Sequence, residues 1–132
     1  MKRIILFLIV LFAQQIVLAQ APMSVVNKTA AIPFETVENQ PIFPGGNNEF
    51  IKFIGKNFRV PDVEDFSGGV LKVSFVIEVN GSIADVKIIN DLGHGTADEI
   101  KRVLSLCPKW TPGDQNGKPA RVLFTLPVTI RN

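Results

Sequence analysis

The sequence predicts a small α+β domain, a three-stranded antiparallel sheet with two helices on its single apolar face. Three observations predict it. Leu71, Val73, Phe75, Ile77 and Val79 alternate with Lys72, Ser74, Val76 and Glu78, and Asn80-Gly81 follows directly. That is a half-buried strand closed by a hairpin turn. Two apolar stripes have helical spacing, Phe50, Phe53, Ile54 and Phe58, then Ile100, Val103, Leu104 and Cys107. A second alternating run, Val122, Phe124, Leu126, Val128 and Ile130, ends the chain. The order is helix, strand, strand, helix, strand.

Each element carries its own punctuation. Pro44-Gly45-Gly46 is a turn, and Asn47 is placed to cap the first helix. Val60-Pro61 closes that helix, because a residue before proline leaves the α region. A two-residue turn at Asn80-Gly81 sets Val79 opposite Ser82, Ile77 opposite Ala84, Phe75 opposite Val86 and Val73 opposite Ile88. Thr96-Ala97-Asp98-Glu99 fits a capping box for the second helix, and Pro108 stops it. The second helix returns the chain along the sheet. The third strand therefore pairs antiparallel beside the first, which becomes the central strand.

The amino terminus has the layout of a signal peptide, residues 1–19. Met1-Lys2-Arg3 is followed by the apolar run Ile4 to Phe12 and by Val17-Leu18-Ala19. Cleavage is expected after Ala19 and not after Ala21, which would leave Pro22 first. An uncleaved anchor is the alternative. Extended to Ala19, the apolar stretch is 16 residues with Gln14 and Gln15 inside, against the roughly 20 that a spanning helix needs. Residues 20–38 form an irregular lead-in, and residues 39–132 the folded domain.

Composition removes several function classes. The 132 residues are 46% apolar and 20% charged, enough for one core. The formal charge of +2 comes from Lys2 and Arg3; without them 12 basic face 12 acidic side chains. Neutrality argues against a nucleic-acid binder. One cysteine and one histidine exclude an internal disulfide and a multi-histidine or cysteine-based metal site. Ser74, Ser82 and Ser105 lack any nucleophile signature, and His94 sits in a Gly93-His94-Gly95 loop with no group to orient it. Cys107 falls on an apolar stripe, as a packed thiol does. No glycine pair has the context of a phosphate loop. Asp62, Glu64 and Asp65 lack calcium-loop spacing and read as a solvated acidic loop. The expectation is a protein with no catalytic residues, metal or cofactor.

The third strand is the candidate site. It runs from Arg121 to Arg131 with charge only at its ends, and its one breaker is Pro127. Proline lacks an N–H, so it belongs on an open edge. With Pro127 turned outward, Arg121, Leu123, Thr125 and Thr129 also turn their backbone groups outward, as a template for an added strand. The alternatives are an edge covered by the chain's own tail or by dimerisation. Residues 101–132 hold six basic and one acidic side chain, whereas residues 20–100 hold six and eleven. That surplus favours an acidic or neutral extended peptide.

Asn39-Gln40-Pro41-Ile42-Phe43-Pro44 resembles the Gln-Pro-x-aromatic-Pro segment of TonB carboxy-terminal domains. The strand closed by Asn80-Gly81 is similar to their Asp/Asn-Gly hairpin, and Lys109-Trp110-Thr111-Pro112-Gly113 to their Trp-x-Pro-Gly segment. Phe43-Pro44-Gly45-Gly46 is similar to the form common in Bacteroidetes. The resemblance covers residues 39–132. It implies a periplasmic module that binds a short segment of outer-membrane transporters, the TonB box, by strand addition. Gln40, Pro41, Phe43 and Pro44 would touch that segment beside Arg121, Leu123, Thr125 and Thr129, with Trp110, Asn80 and Gly81 structural. Inner-membrane motor proteins are implied as partners if the chain is anchored. A long Pro-rich spacer is missing, and residues 20–40 span at most about 75 Å at roughly 3.6 Å per residue. The alternative is a soluble periplasmic structural or homodimerising domain without energy transduction.

Overall fold

The computed structural model describes residues 30–132, so the signal peptide and residues 20–29 lie outside the described residues. The elements are β1 (Ile32–Pro33), α1 (Asn47–Asn57), β2 (Gly69–Ile77), β3 (Ile83–Asn90), α2 (Thr96–Ser105), β4 (Gly113–Gln115), β5 (Lys118–Ala120) and β6 (Val122–Ile130). The fold is α+β, and β2 lies between β6 and β3, as the expected return of the chain along the sheet places it. The main sheet, however, has four strands in the order β1-β6-β2-β3, and β4 and β5 form a separate two-stranded sheet. The expected three-stranded antiparallel sheet is corrected by β1, which joins β6 in parallel through Ile32 opposite Val122 and Pro33 opposite Leu123. Two residues are too few to show a period in the sequence.

β2 and β6 pair without a break from Gly69 opposite Ile130 to Ile77 opposite Val122. On the odd face of β2, Leu71, Val73, Phe75 and Ile77 are fully buried, whereas Val79 is exposed beyond the strand's end. Phe50 and Ile54 of α1, Ile100, Val103 and Leu104 of α2, and Leu126 and Ile130 of β6 complete the core, so both helices cover one face. Burying each of these side chains stabilises the fold by about 1.5–3 kcal/mol.

The β2–β3 hairpin departs from the expected register. Glu78 N–H donates to Ser82 O and Gly81 N–H to Glu78 O, both at 2.8 Å. Of the two turn residues only Gly81 has positive φ, at 86°. This is a three-residue loop with a left-handed glycine, one residue longer than the expected two-residue turn. Ile77 therefore faces Ile83 and not Ala84, while Val73 does face Ile88. A bulge between the pairs Val76–Ala84 and Ser74–Lys87, with Asp85 at φ 52°, restores the alignment. The two-residue turn with positive φ at both positions occurs elsewhere, at Asn116 (55°) and Gly117 (78°) between β4 and β5.

Both helix caps are also corrected. Gly46 precedes α1 and Gly95 precedes α2, with no side-chain cap bond at either. Asn47 is the first helical residue of α1. Thr96 Oγ1 donates to Gly93 O at 2.7 Å instead of accepting from the helix. Glu99 accepts from Arg59 N–H at 2.8 Å and from Arg102, which itself donates to Asn57 O at 2.7 Å. The charge thus clips the exit of α1 to α2 rather than closing a capping box.

Candidate functional site: the half-open edge of β6

Ile32 N–H donates to Arg121 O and Phe34 N–H to Leu123 O, each at 2.9 Å. These bonds show that odd residues of β6 turn their backbone groups away from β2. By strand alternation, Thr125, Pro127 and Thr129 turn the same way. Beyond Leu123 no strand among the described residues pairs with that side of β6. The edge is therefore closed at Arg121 and Leu123 and open from Thr125 to Thr129. That corrects the expectation of a wholly open edge, because the chain's own β1 takes its upper part. The Arg121 guanidinium is engaged as well, by Glu78 Oε1 at 2.7 Å and Asp85 Oδ2 at 2.9 Å.

An apolar trough runs beside the open part. A groove of about 300 Å³ is lined by Ile51, Ile54 and Gly55 of α1 and by Leu126 to Thr129. It continues past Phe58 and Val60 to Arg131. A second groove, of about 360 Å³, is lined by Phe34, Asn39, Gln40, Pro41, Ile42 and Asn47. Asn47, Ile51 and Gly55 are spaced i, i+4, i+8 and lie on one stripe of α1, spanning roughly 12 Å. Ile51 is 58% exposed, and a Cβ on Gly55 would meet nothing within 4 Å. Neither residue stood out in the sequence reading. An isolated glycine inside an amphipathic helix, next to an isoleucine off the apolar stripe, was the available signal.

The other sheet edge, β3, is blunted by the bulge at Asp85 and by the charges of Asp85 and Lys87.

The three motif segments meet at one end of the domain. Asn39 and Asp114 exchange backbone bonds at 3.1 and 3.0 Å, as do Ile42 and Thr111 at 3.0 and 2.8 Å. Trp110 N–H donates to Gly81 O at 2.9 Å. Trp110 is 2% exposed among Phe43, Phe50, Phe75 and Phe124, and its Nε1 is buried without a hydrogen-bond partner among the described residues. Pro41 and Phe43 are buried too, whereas Gln40 and Pro44 are exposed. Of the four residues expected to touch a partner there, burial leaves Gln40 and Pro44 accessible, beside the exposed Asn39 and Ile42. Gln40 Nε2 donates to Phe34 O at 3.0 Å, tying this segment to β1. Asn80 Oδ1 accepts from Ser82 N–H and Oγ–H at 3.0 and 2.6 Å, bracing the hairpin loop.

Two other residues weighed from the sequence line neither groove. Cys107 is half-buried, and burial pushes its thiol up to about 12, a value at which thiolate is scarce. His94 is exposed with its ring 5.5 Å from Phe66. Among the described residues, no helix is long and apolar enough to cross a membrane, and no group of three or more His, Cys, Asp or Glu side chains is placed to hold a metal.

Residues 67–130 match the family described as the Gram-negative bacterial TonB protein C-terminal. Two curated relatives, both the protein TonB, from two strains of Helicobacter pylori, are 35% identical over 86 residues. The match covers 56% of this chain and only 30% of each relative. No solved structure matches.

Proposed function

Because the chain belongs, through residues 67–130, to the TonB carboxy-terminal family, we propose that it is a periplasmic interaction module that captures an extended transporter segment by strand addition on β6. The family couples energy to transport and is not a family of enzymes. The observation that carries the reading is the open run Thr125–Thr129 with an apolar trough along its length. Backbone groups of β6 supply the bonds, and alternate side chains of the added strand enter the trough at Ile51 and Gly55. Gln40 and Pro44 lie on the accessible surface of the neighbouring segment, while Pro41 and Phe43 hold it in place. The other edge offers a bulge and charges, so β6 is the better template.

A titration with a synthetic TonB-box peptide tests this. Thr125→Pro removes an N–H that faces the open side, so the fold should persist while affinity falls at least about tenfold. Phe124→Pro removes an N–H facing β2, opposite Phe75, and should disrupt the fold. Unchanged binding by a folded Thr125→Pro would remove β6 as the site. Elution of the peptide-free chain as a dimer, with no peptide bound, would favour a homodimerising domain.

A further inference from the structure

We propose that β1 is an internal competitor for the edge: residues 32–34 occupy the part of β6 that an incoming strand needs, and a strand running in the same direction displaces them. This rests on the reading of β6 as the docking edge. The open part alone is a poor template. Thr125 and Thr129 each supply an N–H there, and Pro127 supplies none, against the usual strand of about five to six residues. Reaching Leu123 and Arg121 adds rungs, and those are the rungs β1 holds.

β1 is built to leave. It has two residues, and Pro33 is exposed and lacks an N–H. Among the described residues its hold is the bonds from Ile32 and Phe34, the bond from Gln40 Nε2 to Phe34 O, and the Phe34 ring, edge-on to Phe124 at 4.6 Å. Segments with few buried contacts open at the lowest free energy. Just after Phe34 the chain turns away, with Thr36 and Val37 N–H both donating to Pro33 O. A strand continuing past Phe34 would instead follow β6 toward Thr129 and the trough. Release of β1 would also free the Gln40 side-chain amide from Phe34 O, next to the second groove. Because β1 runs parallel to β6, the strand that replaces it takes the same direction and presents an apolar or aromatic side chain where Phe34 meets Phe124.

The test uses a labelled peptide copying residues 28–36, titrated into three forms of the chain beginning at Gln20. These are the wild type, Ile32→Pro, which removes the N–H donated to Arg121 O, and the pair Pro33→Cys with Leu123→Cys. Paired residues on adjacent strands lie about 4.8 Å apart, within disulfide reach, so oxidation locks β1 in place. Ile32→Pro should bind the peptide about tenfold tighter than the wild type, the oxidised pair should not bind it, and reduction should restore the wild-type value. The lock keeps β1 docked, so it decides the matter even if Ile32→Pro fails to fold. Equal affinity in all forms, or no binding by any, would overturn the proposal. A TonB-box peptide in the same assay separates the two readings. If it binds all forms equally, β6 docking stands and the competitor role fails; if it binds none, both fail.

Discussion

Gly81 and Trp110 meet backbone to backbone: Trp110 N–H donates to Gly81 O at 2.9 Å, and a Cβ on Gly81 would stand 2.1 Å from Trp110 O. The glycine is required twice, by its φ of 86° and by this approach, and it fixes the β2–β3 loop against the segment that leaves α2.

Gly81→Ala should therefore destabilise the domain by about 2–4 kcal/mol, from left-handed strain plus an unrelieved contact. Asn80→Ala loses only exposed bonds to Ser82 and should cost about 1 kcal/mol. Denaturant unfolding of both variants checks the difference. Equal losses would mean that the close approach is not maintained in solution.

Trp110→Ala should cost about 3–5 kcal/mol, because the indole fills the space between Phe43 and Phe50 at ring distances of 5.4 and 4.8 Å. A loss below about 1 kcal/mol together with abolished peptide binding would make Trp110 a ligand platform instead.

Legibility followed the length of each pattern. The nine-residue strands β2 and β6 and the stripes of α1 and α2 carry enough alternation or helical spacing to be read directly. The orientation of Pro127 gave the outward side of β6 for a different reason: a missing N–H constrains one residue absolutely, whatever the length of the pattern around it. β1 was illegible because a two-residue strand is made by its partner and not by its own sequence. The hairpin loop is one residue longer than expected because Asn-Gly suits both a two-residue and a three-residue loop. The bulge at Asp85 then hid the difference at Val73 and Ile88. Asn116-Gly117 carried the same dipeptide and does form the shorter turn, between strands too short to show a period.

Gly55→Leu should leave the fold intact or stabilise it by about 0.5–1 kcal/mol, because leucine is the better helix former and its Cβ meets no neighbour. It should also fill the trough and weaken TonB-box peptide binding at least about tenfold. Thermal unfolding and a peptide titration on the same sample check both halves. Retained affinity would show that the trough at Gly55 takes no side chain.

Glu99 carries a pH dependence. The hydrogen bond from Arg102, aided by Arg59 N–H and opposed by burial, holds its carboxyl below the ordinary value of 4.5. Its contribution is complete above that value and is lost as pH falls through the lowered one. Glu99→Gln should cost about 1 kcal/mol at pH 7, with the gap to wild type closing as the carboxyl protonates. Melting curves from pH 7 down to about 3 check this; a gap that stays constant would assign Glu99 no charged role.

Amide hydrogen exchange at Thr125 and Thr129, with and without saturating TonB-box peptide, tests the strand-addition account most directly. Both N–H groups face the open side of β6 and should exchange readily in the peptide-free chain, then become protected at least about a hundredfold when a strand is added. Protection appearing along β3 instead, with Thr125 and Thr129 unchanged, would contradict it.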